Sequence, residues 1–139
     1  MPIRHLATAV ALIAAPSFVH AADVAAGEKA FKACVACHVV QNDAGEVLAG
    51  RNAKTGPNLY GLDGRHLGAV GDFNYSEGMV EAGETGAVWT EAEFVSYVQD
   101  PTAFLREISG DAKARSKMSF KLKKADEAAD IYAYIASLK

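Results

Sequence analysis

Two cysteines and a histidine lie close enough together in this chain to hold one cofactor. Cys34 and Cys37 are three positions apart, and His38 directly follows the second cysteine. Two thiols at this spacing, followed by an imidazole, form the pattern by which a haem is covalently attached. Each thiol can add across one vinyl group of the haem, and the imidazole is then held against the iron as an axial ligand. The motif therefore predicts a bound haem c with His38 on its iron.

Other uses of a Cys-x-x-Cys pair fit the surrounding sequence less well. A thioredoxin-like redox pair begins a helix after a strand, whereas the residues before Cys34 have a helical pattern. A structural zinc site needs four ligands, and His66 is the only further histidine or cysteine after residue 21. A disulfide across so short a loop would stabilise the fold little. The pair favours haem attachment over all three.

The first 21 residues have the composition of a secretory signal peptide. Arg4 and His5 give a short basic start, residues 6–15 are an apolar run, and Val19-His20-Ala21 is a small-x-small cleavage motif. The run is about half of the ~20 residues that a membrane span needs. We expect residues 1–21 to be removed during export to the periplasm, which leaves one domain, residues 22–139, that is not embedded in a membrane.

The charges of residues 22–139 are unevenly distributed. Residues 112–125 include six basic side chains and no acidic one, whereas residues 72–107 include eight acidic side chains and one arginine. Acidic residues outnumber basic ones overall, which makes nucleic acid a poor candidate for a partner.

Helical signals occur at both ends of the expected mature part. Asp23 is a suitable N-cap for a helix that continues to about Val35. Gly27 and Phe31 are four residues apart and so share one face of that helix. A second helix is predicted over residues 126–138, with an apolar stripe at helical spacing formed by Ile131, Tyr134, Ile135 and Leu138.

Two further helices are predicted in the second half of the chain. Thr90 and Glu93 form a capping box, which opens a helix that ends before Pro101. Asp100 and Pro101 can then begin another short helix, to about Glu107. Earlier in the chain, residues 38–54 have little periodicity and predict either a long loop or a short hairpin.

Several motifs follow the Cys-x-x-Cys-His motif in a fixed order. They are Thr-Gly-Pro-Asn-Leu-Tyr-Gly at 55–61, Gly-Arg at 64–65, Phe-Asn-Tyr-Ser-Glu-Gly at 73–78, Trp89 and a late Lys-Met at 117–118. In this order they resemble the class I cytochromes c over the whole of residues 22–139, and they are most similar to longer bacterial members. The resemblance implies an all-α fold of three to five helices around one covalently attached haem c.

The resemblance also implies a sixth iron ligand and a set of residues around the haem. Met118 matches the methionine ligand of the family, and a soft sulfur opposite His38 raises the reduction potential. Met79 lies in a helical stretch, where a methionine usually fills the core. The matching motifs place further residues near the haem: Pro57 beside His38, Arg65, Tyr75, Trp89 and Ser116 near a propionate, Tyr97 near the methionine sulfur, and Phe120 beside the haem edge.

The resemblance further implies how the helices meet. The last helix is expected to cross the first at Gly27 and Phe31, and a glycine there suits a close helix contact. Residues 39–54 and 109–117 form longer loops than in the shortest family members, so the sequence leaves the paths of these loops undecided.

With His38 and Met118 both on the iron, no coordination site is open, and we expect a one-electron carrier rather than an enzyme. The resemblance implies a monomeric periplasmic carrier between the cytochrome bc complex and a photosynthetic reaction centre or terminal oxidase. Basic residues near Met118 and the haem edge are expected to speed transient docking to acidic partners; they are Lys32, Lys54, Lys117 and Lys121.

Two other functional classes remain open at this point. A haem enzyme or gas sensor would need an open position on the iron, so Met118 would have to be displaced or unbound. A thiol–disulfide or binding module would carry no haem at all.

Overall fold

The computed structural model describes residues 20–139, and within this range the chain forms five α-helices and one short hairpin. The elements in chain order are α1 (Val24–Ala30), β1 (Val39–Gln41), β2 (Val47–Gly50), α2 (Glu77–Glu84), α3 (Glu91–Gln99), α4 (Pro101–Ser109) and α5 (Ala125–Ser137). The predicted all-α class is confirmed. The predicted signal peptide lies outside the described residues, apart from its last two positions. None of the helices within residues 20–139 is long and apolar enough to span a membrane.

The first helix begins where the sequence predicts but ends earlier. The Asp23 carboxylate accepts hydrogen bonds from the N–H groups of Ala25 and Ala26 at 2.8 and 3.1 Å. The α-helical part stops at Ala30, and a single 3-10 turn over Phe31–Ala33 follows. The prediction of one helix to Val35 was wrong because apolar periodicity does not distinguish the α-helix from the tighter winding that is common at helix ends.

The close crossing of α1 and α5 is present. A Cβ atom added at Gly27 would lie only 1.9 Å from the main-chain oxygen of Asp130, so only a glycine lets the two backbones approach this far. One turn further along, the rings of Phe31 and Tyr134 are 5.6 Å apart. On α5, Ile131 is buried against the rest of the core. The two helices predicted from the sequence therefore pack tightly against each other and form part of the core.

The corner between α3 and α4 also forms as the capping signals predict. The Thr90 hydroxyl accepts the N–H of Glu93 at 3.5 Å, and the Asp100 carboxylate accepts the N–H of Ala103 at 3.1 Å. Glu93 does not complete the capping box through Oε2, which is buried without a hydrogen-bond partner among the described residues. Pro101 is the first residue of α4, where its missing N–H costs nothing.

Of the two predicted alternatives for residues 38–54, a long loop or a short hairpin, residues 39–50 form the hairpin. Strands β1 and β2 are antiparallel, with Val40 opposite Ala49 and an irregularity in the register after Val40. Val40 and Ala49 are both buried, so the hairpin is anchored to the core by one face. A second group of core contacts lies between the hairpin and α5 in the chain, where three aromatic rings pack together: Trp89, Tyr97 and Phe104.

We expect Gly27→Ala to destabilise the protein by more than about 3 kcal/mol, because overpacking against a backbone atom cannot be relieved by a rotamer change. The free energy of unfolding in denaturant measures the effect. Gly71→Ala is the matched control, since a Cβ atom there would meet no atom within 4 Å. Equal stability of the two variants would contradict the close helix contact.

Candidate haem site

The Cys-x-x-Cys-His motif folds as one turn directly after the first helical segment. The carbonyl oxygen of Cys34 accepts the N–H groups of Cys37 at 3.1 Å and of His38 at 2.9 Å. Both thiols are free, with Cys34 half-buried and Cys37 exposed. Burial raises the pKa of the Cys34 thiol to about 11, so this group is protonated at neutral pH. Two free thiols on one turn are placed to bond the same edge of one haem.

The imidazole of His38 is fixed by a carbonyl group from another part of the chain. Its Nδ1 lies 2.9 Å from the Pro57 main-chain oxygen. Because a carbonyl oxygen can only accept, Nδ1 carries the proton, and the lone pair on Nε2 is available to a metal. Burial lowers the pKa of His38, which the bond to Pro57 partly opposes, so the ring is favoured in the neutral form that binds metals.

Gly56 leaves the space that this imidazole occupies. A Cβ atom at Gly56 would lie 2.3 Å from Cε1 of His38 and 2.8 Å from Nε2. The N–H of Gly56 donates to the carbonyl of Cys37 at 2.7 Å, which holds the two segments together. In the sequence Gly56 is one residue of the Thr-Gly-Pro-Asn-Leu-Tyr-Gly motif, and no local signal marks its contact with the ring.

Met118 lies half-buried in a loop whose polar groups are tied to α3. The N–H of Met118 donates to the hydroxyl oxygen of Ser116 at 3.0 Å. The same hydroxyl lies 2.9 Å from that of Tyr97. Lys117, which lies between Ser116 and Met118 in the chain, donates from Nζ to the main-chain oxygen of Asn74 at 2.6 Å. The structure thus brings Ser116 and Tyr97 together beside Met118.

Arg65 is half-buried, and its guanidinium is only partly paired. Its Nη1 donates to the Tyr60 carbonyl at 2.8 Å and its Nη2 to the Asn58 carbonyl at 3.1 Å. Its Nε is buried and has no hydrogen-bond partner within residues 20–139. Burial lowers the pKa of Arg65, and nearby Tyr75 acts in the opposite direction. An unpaired cationic donor in such a place is suited to a carboxylate, such as a haem propionate.

The remaining predicted site residues divide by exposure. Trp89 and Tyr97 are buried, with ring centroids 5.2 Å apart, and both belong to the core. Phe120 is 43% exposed, which is high for a large apolar side chain. The four predicted docking lysines are all exposed, and one of them, Lys121, forms an ion pair of 2.7 Å with Asp100.

These groups fit a covalently attached haem. The turn supplies two free thiols and a neutral imidazole with its Nε2 available. The ring occupies the space that a side chain at position 56 would fill, and the Arg65 Nε is a buried donor without a hydrogen-bond partner among residues 20–139. Cys34 and Cys37 would hold the group and His38 would reach its iron.

The similarity of this chain to known proteins agrees with that fit. No family model matches the chain. It is 63% identical over 116 residues to a cytochrome c2 of Rhodovulum adriaticum, with 84% of this chain and 92% of the relative covered. It is 54% identical over 134 residues to a cytochrome c2 of Cereibacter sphaeroides, with 96% of this chain and 92% of the relative covered.

Solved structures give the same result for the fold. The crystal structure of cytochrome c2 from Rhodobacter sphaeroides superposes with a TM-score of 0.82 and 57% identity, over 84% of this chain and 96% of that one. Ferric cytochrome c-550 from Paracoccus versutus superposes with a TM-score of 0.78 and 44% identity, over 84% and 98%. At this level of identity and coverage, the chain belongs to the class I cytochromes c, which are electron carriers with one covalently attached haem c rather than enzymes.

Proposed function

We propose that this protein is a periplasmic one-electron carrier in which His38 and Met118 both bind the haem iron. When bound, the haem supplies an iron that takes up and gives back one electron. The observation that carries the proposal is the hydrogen bond of 2.9 Å from His38 Nδ1 to the Pro57 carbonyl, because it leaves only Nε2 free to bind metal. Cys34 and Cys37 attach the haem beside that ring.

Both proposed ligands are restrained by other parts of the chain. The His38 ring is confined by the backbone of Gly56 and oriented by Pro57. Met118 is tethered through its N–H to Ser116, which in turn contacts Tyr97. Ligands held in this way can stay in place in both oxidation states, and a thioether opposite an imidazole favours a high reduction potential.

The surrounding residues are assigned roles toward the haem. Arg65 would donate its orphaned Nε–H to a propionate, since a buried charge without a partner is costly for both groups. Ser116, in the loop that carries Met118, accepts the Met118 N–H and would donate its own hydroxyl hydrogen to a propionate. The other proposed neighbours are Tyr75 and Trp89 at a propionate, Tyr97 near the sulfur and Phe120 at the haem edge.

The proposed partners are membrane redox complexes. Residues 1–21 would direct export and be cleaved, leaving a monomeric carrier between the cytochrome bc complex and a photosynthetic reaction centre or terminal oxidase. Similarity to cytochromes c2 and c-550 supports a redox role of this kind. Docking would be brief and electrostatic, through Lys32, Lys54, Lys117 and Lys121.

We expect the ferric protein to show the weak far-red absorption band of a sulfur–Fe(III) bond, and Met118→Ala to abolish it. The variant should also have a lower reduction potential, because it lacks the thioether ligand. In the ferrous form it should bind CO readily, because a position on the iron is open. Met79→Leu is the control, since Met79 is 5% exposed in the core and should leave the band intact. A wild type that lacks the band and binds CO would point instead to a haem enzyme or gas sensor.

We expect Gly56→Ala to displace the His38 ring and to lower the free energy of unfolding by about 1–3 kcal/mol, the usual cost of overpacking. Absorption and electron paramagnetic resonance spectra of the ferric protein report whether the histidine still binds. The control is again Gly71→Ala, where the added methyl group has open space. Unchanged spectra and stability in Gly56→Ala would argue against the packed imidazole.

We expect Lys32→Glu with Lys54→Glu to slow electron transfer with an acidic redox partner at low salt by about tenfold, and the difference to fade as salt screens the charges. Lys117→Glu with Lys121→Glu should slow it too, but these lysines also bond Asn74 and Asp100, so uncharged Gln variants are needed beside them.

A pair with the same change in net charge, Lys29→Glu with Lys139→Glu, separates local docking from overall charge. Because Lys139 also pairs with Asp63 at 2.7 Å, Lys139→Gln is measured beside this pair. Rates of electron transfer measured by stopped flow across a salt series give the comparison. If this control pair slows the reaction as much as the docking variants, the proposed surface is wrong.

A further inference from the structure

The corner between α3 and α4 contacts the loop that carries Met118 just before that residue. The N–H of Ser116 donates to Oγ1 of Thr102, on the first turn of α4, at 3.3 Å. The hydroxyl of Ser116 then binds the N–H of Met118 and lies against the Tyr97 hydroxyl. Ser116 is therefore held by α4 at its backbone and by α3 at its side chain.

The same corner contacts the loop again just after Met118. Lys121 Nζ lies 2.7 Å from Oδ2 of Asp100, whose other carboxylate oxygen caps α4. The N–H of Leu122 donates to the carbonyl oxygen of Val98, the last turn of α3, at 2.8 Å. Residues 98–102 therefore form hydrogen bonds to the loop on both sides of Met118. The bonded loop residues are Ser116 before it and Lys121 and Leu122 after it.

Beyond the corner, this loop is anchored mainly by Ala114, which is buried in the core, and by a few hydrogen bonds. Residues 110–124 form no helix and no strand, so ordering them costs backbone entropy with no ladder of hydrogen bonds in return. Outside the corner, Arg106 Nε donates to the Ala114 carbonyl at 3.1 Å and Lys117 Nζ to that of Asn74 at 2.6 Å. Apart from this Lys117 bond, the hydrogen bonds to other segments that lie nearest to Met118 in the chain are those of the corner.

We propose that Thr102 and Asp100 are positioning residues for Met118, and that their bonds to the loop set how readily the thioether leaves the iron. The inference rests on the proposed ligation by His38 and Met118. Neither residue touches the haem. Both act through the loop, Thr102 through Ser116 and Asp100 through Lys121.

The test uses the haem-loaded ferric protein and free imidazole, which replaces the methionine when the loop opens. Loss of the far-red band is followed by stopped flow at saturating imidazole, where release of Met118 limits the rate. Thr102→Val removes the acceptor at nearly constant shape and should raise this rate about fivefold, the effect of one lost hydrogen bond. Thr102→Ser, which restores a hydroxyl, should return the rate to that of the wild type.

Two further variants separate positioning from stability. Asp100→Asn keeps a good N-cap for α4 but weakens the bond to Lys121, so it should also speed replacement. Thr85→Val is the matched control, because Thr85 donates to the Ala82 carbonyl on α2 at 2.7 Å and, in the described part of the chain, forms no hydrogen bond to the loop. In Thr85→Val the rate at which imidazole replaces Met118 should equal that of the wild type, even if the free energy of unfolding is lower.

Rates for Thr102→Val and Asp100→Asn that both stay within about twofold of the wild type, less than the loss of one net hydrogen bond, would overturn the proposal. So would an equal acceleration in Thr85→Val, since the effect would then follow general stability. A wild type without the far-red band would instead contradict ligation by Met118, and with it both proposals. If Thr102→Val does not fold, Asp100→Asn decides the outcome by the same twofold criterion.

Discussion

The close approach of α1 and α5 at Gly27 sets the position of the groups that do the chemistry. With a main-chain oxygen of Asp130 where a Cβ would otherwise be, α1 lies directly on α5. The 3-10 turn after α1 ends at Ala33, so the turn with Cys34, Cys37 and His38 starts from a rigid base. Only a few residues separate the helix crossing from the haem-attachment turn, and there is little freedom between them.

The two proposed iron ligands are held by different kinds of force. His38 is confined mainly by shape, because its ring occupies the space that a Cβ at Gly56 would fill, and the Pro57 carbonyl orients the ring. Met118 is confined by a set of hydrogen bonds from α3 and α4, each of which is individually modest. This difference would make His38 the firmer of the two proposed ligands and Met118 the more readily released one. The residues that govern release would then lie in the α3–α4 corner.

The charged side chains have structural as well as docking roles. Lys121 is paired with Asp100, and Lys117 is bonded to Asn74, so part of the basic run holds the loop in place. At the end of α5 away from this loop, Asp63 accepts hydrogen bonds from Tyr132 at 2.6 Å and from Lys139 at 2.7 Å. Lys139 and Tyr132 together lower the pKa of Asp63, which keeps its carboxylate ionised. Their hydrogen bonds join α5 to the segment that leads to Arg65.

The sequence by itself determined what depends on neighbours along the chain. The spacing of Cys34, Cys37 and His38 predicted the cofactor, Asp23 and Asp100 predicted where helices start, and the stripe on α5 predicted its buried face. Each of these signals acts within one or two helical turns, so it is visible in the order of residues. The order of motifs, through its resemblance to a known family, added Met118 and the residues around the haem.

The tertiary structure decided which distant groups meet. Ser116 is 14 residues from Thr102, and Asn74 is 43 residues from Lys117. Nothing local marks Gly56 as the residue that must lack a side chain beside the imidazole, or Thr102 as the acceptor for Ser116. Contacts of this kind depend on the path of the whole chain. A hydroxyl or a glycine has the same local preferences whether or not a partner from another segment lies against it, which is why only the folded chain reveals them.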